Sequence, residues 1–557
     1  MLIGQGVQPG APGVYVDIVP APPQINGVPT NILGIVGIAS WGPVNMPNII
    51  GSAVELVDTY GPVQNATHDL GTAVTIAMMQ GANIIFGVRV TDGTDTKASV
   101  ELMDTDATPA EGALLTALYS GVVGNSITAA ITAGVQPNTY TLTITRPGVS
   151  TEVFANIGGT GSAFWQNLVN AVNSGQGPSR GPSQIVTASL PSTQSTYAPN
   201  VTTTYTLAGG TNGNSSVTDT TLLGSDGPPR TGMYALRGTG CQVGMLADVT
   251  TTSTFTDQVA FGLQEGIYMI GTGPGNQTIA QAISVKSTAG IGSHAFKLLL
   301  GDWIYWYDET NQVQRVVSPQ AFSAGLLVSL NPAQGSLNKQ VYGVIATQTS
   351  INGYRYSYAD LEQLTQNGID LITNPIPQGN AFGVRIGVNT SFNAVNQFDN
   401  YTRMTNFLAA TFNKATGIFN GKVQTPKLWA EVETTFDDFL ANLKDQDLIE
   451  AYQVTVNSTN NPQSQQGPRI HEHPGIRHLL RNRRLHHRQP STAGPPSSSA
   501  SPPSVKSPDR RSQKCRLPGY SRRTRHSTVD RLERAELSPH AARFIRREAG
   551  HQGSHGR

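Results

Sequence analysis

Cysteine is almost missing from this chain: Cys241 and Cys515 are the only two in 557 residues, too few for a disulfide framework or a thiolate metal cluster. A reducing assembly compartment is the simpler expectation. Long apolar runs are missing as well, since nothing reaches the roughly eighteen consecutive apolar residues that a membrane helix needs. The first residues, Met1-Leu-Ile-Gly-Gln-Gly-Val, lack the basic segment and apolar stretch of a secretory signal. A protein neither secreted that way nor inserted in a membrane is expected. Histidine is scarce before residue 464, with only His68 and His294, which leaves few general bases. That part of the chain also has no Gly-Lys-Ser/Thr phosphate loop, no His-Glu-x-x-His pair and no paired-cysteine site. No cofactor, no metal and no catalytic residue are expected.

What is present fits a large, turn-rich assembly protein. Hydrophobic residues make up 38% and charged residues 13%, with 59 Gly and 35 Pro, a balance that suits β-rich architecture better than helical bundles. The length predicts three or more domains. The net charge of +1 averages two different polymers. After Ser464 lie 20 of the 37 Lys and Arg, 6 acidic residues and 9 of the 11 His, so the tail carries about +14 and everything before it about −13.

Along the chain, Pro12 to Ile18 alternates β-formers and reads as a strand on a flexible arm. Pro20, Pro22, Pro23 and Pro29 separate it from the next strand, Ile32 to Ile38, too far and too stiffly for a tight hairpin. A strand without a local partner must find an edge elsewhere, on another subunit for example. A short helix near Ala53 to Thr59, a helix from about His68 to Gln80 and a buried strand Asn83 to Val90 give α/β alternation.

From about Ala98 to Ala208 the pattern turns to short Thr- and Val-rich strands (Ser126 to Ala133, Thr139 to Thr145, Thr151 to Ala155) with one helix, Ala163 to Ser174, as expected of an inserted β-sandwich. Alternation resumes with Met233 to Leu236, strand Val243 to Ala247, helix Thr256 to Gly266, strand Ile267 to Ile270 and helix Gln277 to Ser287, which predicts a parallel sheet flanked by helices. An α+β unit follows from about Tyr354, ending in an amphipathic helix Glu433 to Tyr452 and a strand Gln453 to Asn457. The expected fold class is therefore multidomain α/β and α+β. Its segments are an arm at 1–30, a core in two parts at 31–97 and 209–350, the insertion at 98–208, a C-terminal domain at 351–464, and a basic low-complexity tail at 465–557.

Four segments in this order resemble the contractile tail sheath proteins of phages and phage-derived particles. They are Pro12-Gly-Val-Tyr-Val-Asp-Ile18 with Ile35-Val-Gly-Ile-Ala-Ser-Trp-Gly-Pro43 and Tyr60-Gly61; Ser120-Gly-Val-Val-Gly-Asn-Ser-Ile127; Leu207-Ala-Gly-Gly-Thr-Asn-Gly213 with Arg230-Thr-Gly-Met-Tyr-Ala-Leu236; and Leu364-Thr-Gln-Asn-Gly-Ile-Asp-Leu-Ile-Thr-Asn-Pro375 with Phe382-Gly-Val-Arg385. The resemblance implies a core of subtilisin-like topology and a structural subunit that polymerises as stacked hexameric rings around a tail tube, then contracts to drive the tube through a target cell envelope. Implied partners are further copies of the chain, the tail tube protein, and baseplate and tail terminator proteins. The implied location is the virion tail, reached from the host cytoplasm during assembly. Only Pro12, Gly13, Val14, Tyr15, Val16, Asp17 and Ile18 carry over as an inter-subunit linker strand. Another structural or adhesive tail protein is the alternative reading, and an enzyme comes third.

Other constellations have bland and sharp readings side by side. His68, in Asn65-Ala-Thr-His-Asp-Leu, reads as a capping or surface histidine at a helix start. His294 neighbours Ser293, but adjacent residues rarely face each other productively. Ile270-Gly-Thr-Gly-Pro-Gly-Asn276 sits between strand and helix, where a glycine turn could cradle phosphate, yet Pro274 removes an amide donor and a tight turn is the plainer reading. Asp437, Asp438, Lys444, Asp445 and Asp447 give the last helix a charged face, either simply solvated or facing the tube.

The tail composition cannot bury a core, so disorder is expected there apart from a short helix at about Arg531 to Glu548. Its arginines would suit nucleic acid, but aromatic interleaving is nearly absent, with only Tyr520 and Phe544. The preferred expectation is a shifted reading frame near Asn461 to Gln466, because reading the following codons one base later permits β-strand residues. Such a product would lack the C-terminal linker and final strands of a sheath subunit.

Overall fold

A computed structural model of the chain describes residues 24–423 and 425–459, together with the strand residues 2–3 and 16–17. Its centre is a seven-stranded sheet, whose strands alone are numbered here: β1 Ile32–Gly37, β2 Asn48–Ile50, β3 Ile84–Arg89, β4 Val243–Leu246, β5 Tyr268–Thr272, β6 Phe296–Leu299 and β7 Ile369–Asp370. The spatial order is β2-β3-β1-β4-β5-β6-β7. Every pairing is parallel except β2 with β3. Parallel strands need helical crossovers that cover both faces, which is why β4, β5 and β6 are buried at every position. Helices Leu70–Met79 and Gln320–Ser329 pack on each other and on the sheet, and helix Phe255–Glu265 packs on β5 and β6. Succession runs one way from β1 to β3 and the other way from β4 to β7, so the direction switches between β1 and β4.

Between β3 and β4 the chain builds two antiparallel sheets. One orders Glu152–Gly158, Thr139–Thr145, Thr128–Ala133 and Thr204–Thr206; the other orders Val186–Ser189, Glu111–Ala117 and Ser99–Met103. Helix Ser162–Ser174 packs on both. Their shared hydrophobic cluster runs from Ala98 to Leu207 and takes in one residue from outside that range, Trp41.

A third cluster belongs to helices Asp399–Thr416 and Pro426–Asp445, which meet through Phe407, Phe412, Phe436 and Phe439. Here the structure corrects an expectation. The last helix occupies Pro426–Asp445 rather than Glu433 to Tyr452, because Thr425 caps Leu428 N–H, Pro426 takes the first turn, and Asp447 adopts φ 57 just beyond the end. Residues Gln453 to Asn457, expected as a strand, hold no run of strand and instead lay Val454 and Val456 on this cluster. The tail at 465–557, with its expected disorder and helix Arg531 to Glu548, lies outside the described residues. So does Cys515, while Cys241 is a free, buried thiol that burial pushes up to about 12. Among the described residues no helix is long and apolar enough to cross a membrane.

Candidate functional site

Strand β6 reads Phe-Lys-Leu-Leu, and its Lys297 is wholly buried. The Lys297 ammonium meets Asp370 Oδ2 at 2.6 Å and both carboxylate oxygens of Asp399 at 3.0 Å. Asp370 lies on β7 and Asp399 opens helix Asp399–Thr416, so one cation joins the sheet to the helical layer. Tyr268 on β5 donates to Asp399 at 2.6 Å, and Ser336 Oγ donates to it as well. Asp370 also accepts the amides of Ile386 (3.0 Å) and Gly387 (2.8 Å). Burial alone would push Lys297 down, yet the two carboxylates hold it above its ordinary value. Burial would raise Asp399, but Lys297, Ser336 and Tyr268 keep it below the usual carboxylate range.

One turn along, Arg403 is buried, which lowers its pKa to about 10 and leaves it a cation at neutral pH. It donates to Asn331 O (3.2 Å) and Thr30 O (3.3 Å). The segment before β1 is thus held on the helical layer, with Ile25 and Val28 packed on its cluster. Farther out, Val16–Asp17 pairs in parallel with Leu2–Ile3 over two residues. This supplies a short local partner where the sequence offers none, and Pro12, Gly13, Val14, Tyr15 and Ile18 lie outside the described residues.

Asp437, Asp438, Lys444 and Asp445 are exposed on helix Pro426–Asp445, and Asp447 is exposed beyond its end. Tyr452, from the segment after the helix, lies near them, and burial followed by the Asp437 carboxylate raises its pKa.

Neither histidine forms a nucleophile–base pair. His68 precedes the true cap, Asp69, and sits at φ 64 beside the switch between β1 and β4. Its Nδ1 donates to Ala247 O at 2.7 Å and its Nε2 faces Asp219 Oδ1 at 3.5 Å, so both ring nitrogens are directed at acceptors. His294 is half-buried, edge-on to Tyr401 at 6.1 Å, and lowered by burial. Its neighbour Ser293 spends its Oγ on Ala295 N–H.

The Gly271 to Asn276 turn is filled from within. Trp303 Nε1 donates to Gly273 O at 3.0 Å, Gln348 Oε1 accepts Asn276 N–H at 2.7 Å, and a Cβ on Gly273 would lie 2.0 Å from Gln277 Oε1. No cradle for phosphate is left there. Among the described residues no group of three or more His, Cys, Asp or Glu could hold a metal ion.

The architecture has solved counterparts. A sheath tail protein of Desulfitobacterium hafniense superposes with a TM-score of 0.52 at 16% identity, covering 79% of this chain and 91% of that one. One from Listeria innocua gives 0.54 at 16% identity over 76% and 86%. This chain has the sheath tail protein fold. No protein-family model and no curated protein matches the sequence.

Set on that fold, the charge network occupies the joint between central sheet and helical layer. Sequence reasoning overlooked it, although a lone lysine inside Ala295-Phe-Lys-Leu-Leu-Leu300 and a lone aspartate inside Gly368-Ile-Asp-Leu-Ile372 are signals that a buried pair must form.

Proposed function

We propose that this chain is the structural subunit of a contractile tail sheath, polymerising as stacked hexameric rings around a tail tube in a virion tail, and shortening to drive that tube through a target envelope. The observation that carries this is the sheath tail protein fold shared over more than three quarters of the chain. The order β2-β3-β1-β4-β5-β6-β7 supports a subtilisin-like core, and the two antiparallel sheets over one cluster support an inserted sandwich at 98–208. Residues 1–30 act as the linker arm, with Pro12 to Ile18 exchanging the two-residue pairing of Val16–Asp17 with Leu2–Ile3 for a strand on a neighbouring copy. Backbone hydrogen bonds across an added strand do not depend on side-chain identity, so the arm stays paired while globular bodies roll past one another. The exposed charges of Asp437, Asp438, Lys444, Asp445 and Asp447 face the tube, where a polar contact sets register and releases without uncovering apolar surface. Residues 465–557 are the product of a shifted frame, which resequencing of the DNA tests.

Negative-stain microscopy of the purified chain, with its reading frame restored after residue 464, tests the function. Hollow striated cylinders of two diameters are expected, and they should vanish when residues 1–20 are removed. Decorated fibres or tips, or a chain that stays monomeric at all concentrations, would overturn the proposal.

A further inference from the structure

The root of the arm is seated rather than loose. Arg403, Phe407 and Thr411 recur every four residues on helix Asp399–Thr416 and so form one stripe along it. Arg403 donates to Thr30 O at 3.3 Å and Thr411 Oγ1 accepts Val28 N–H at 3.2 Å. Between them Gly27 lies flat on Phe407, where a Cβ would come within 2.9 Å of the ring. Ile25 and Val28 add apolar contact with the same cluster. Residues 25–30 have no regular secondary structure, so these contacts rather than a helix or sheet ladder hold them in place. The segment that follows the last helix also rests on this cluster through Leu448, Ile449, Tyr452, Val454 and Val456. Residues near both ends of the described body therefore share one two-helix layer, and Lys297 ties that layer to the sheet.

We infer that Gly27, Arg403 and Thr411 are positioning residues that clamp the arm's root, so that the strand beyond it is offered to one neighbouring copy in a fixed direction. This rests on the linker role proposed above. A strand swinging freely from an unseated root samples its neighbour's edge at lower effective concentration, while the strand's own backbone hydrogen bonds are unchanged. A larger residue at position 27 meets the tip of the Phe407 ring, so either the ring or the backbone must shift, and a backbone shift draws Val28 N–H away from Thr411.

Two measurements decide it, both on the full chain with its reading frame restored after residue 464. Hydrogen exchange at low concentration should find the Val28 amide protected, and Gly27→Val or Thr411→Val should remove that protection. Sedimentation should then show the critical concentration for polymerisation rising about threefold or more in Gly27→Val, with return toward the parent value when Phe407→Leu makes room for the valine. An unprotected Val28 in the parent chain overturns the seat. A Gly27→Val chain that loses protection yet polymerises normally overturns the positioning role. If removing residues 1–20 leaves polymerisation intact, the linker role itself falls, an outcome distinct from either.

Discussion

Arg146 fastens the inserted unit to the central body by reaching for backbone carbonyls, whereas Lys297 fastens the helical layer by sitting between two carboxylates. Arg146 donates to Val57 O and Asp58 O at 2.9 Å and stands over the Trp41 ring at 5.2 Å. Those carbonyls lie near the end of helix Ala53–Tyr60, which has no basic residue in its own last turn, so the insertion supplies the missing cation. Arg89, at the end of β3, also reaches for carbonyls, donating to Gly42 O, Ser120 O and Asn212 O at 2.8, 2.7 and 3.2 Å. Trp41 completes this joint by entering the insertion's cluster edge-on to Tyr119. Carbonyl contacts tolerate small shifts and do not titrate. A desolvated charge cluster is nearly all-or-none, because any opening leaves bare charge in a dry interior. The difference assigns the rigid joint to the layer on which residues 25–30 are seated and the more forgiving joint to the unit built between β3 and β4.

Breaking the rigid joint should have the largest effect. Lys297→Met leaves the buried Asp370 and Asp399 without the cation that bridges them, and a loss of about 3–5 kcal/mol is expected in denaturant unfolding. An effect within about 0.5 kcal/mol would mean that the network adds little to the joint.

Acid sharpens the contrast. Asp399 is held below its ordinary value in the folded chain, so its contribution is complete above the unfolded carboxylate pKa of about 4 and fades as pH falls through the lower folded value. Amides of helix Asp399–Thr416 should therefore lose hydrogen-exchange protection in that window before those of Thr128–Ala133 and Thr139–Thr145. Simultaneous loss in both regions would show that the joints do not differ in this way.

Much of the sheet was legible because its strands announce themselves. Ile32–Gly37, Ile84–Arg89 and Val243–Leu246 fall within a residue or so of the apolar runs that predict them, and Thr139–Thr145 coincides with its alternating run. Helix Gln320–Ser329 was silent for a physical reason: residues 320–328 are all buried, so no polar face imposes a period. Helix Pro426–Asp445 kept its phase but not its ends, since periodicity locates a face while the Thr425-Pro426 start signal locates a terminus. Helix Asp399–Thr416 was not anticipated, and Asp399 and Arg403 are among its buried residues, so charge does not mark its solvent face. The same feature hid the charge network: partners at 297, 370 and 399 are far apart in sequence, and only the fold brings them together.

Arg146 gives the subtlest test of the forgiving joint. Arg146→Met should cost about 1–2 kcal/mol, because two part-buried carbonyls lose their donor. Arg146→Lys keeps the charge beside Asp58, which stands 4.0 Å away, but gives up the planar contact with Trp41 and the pairing of one nitrogen with two carbonyls. Arg146 Nε already lacks an acceptor among the described residues, so the native fork is not fully used and lysine forfeits less than at a saturated site. A cost of about 1 kcal/mol is expected for lysine in thermal or denaturant unfolding. If lysine costs as much as methionine, fork geometry rather than charge holds the insertion, and the two joints are closer in kind than their chemistry indicates.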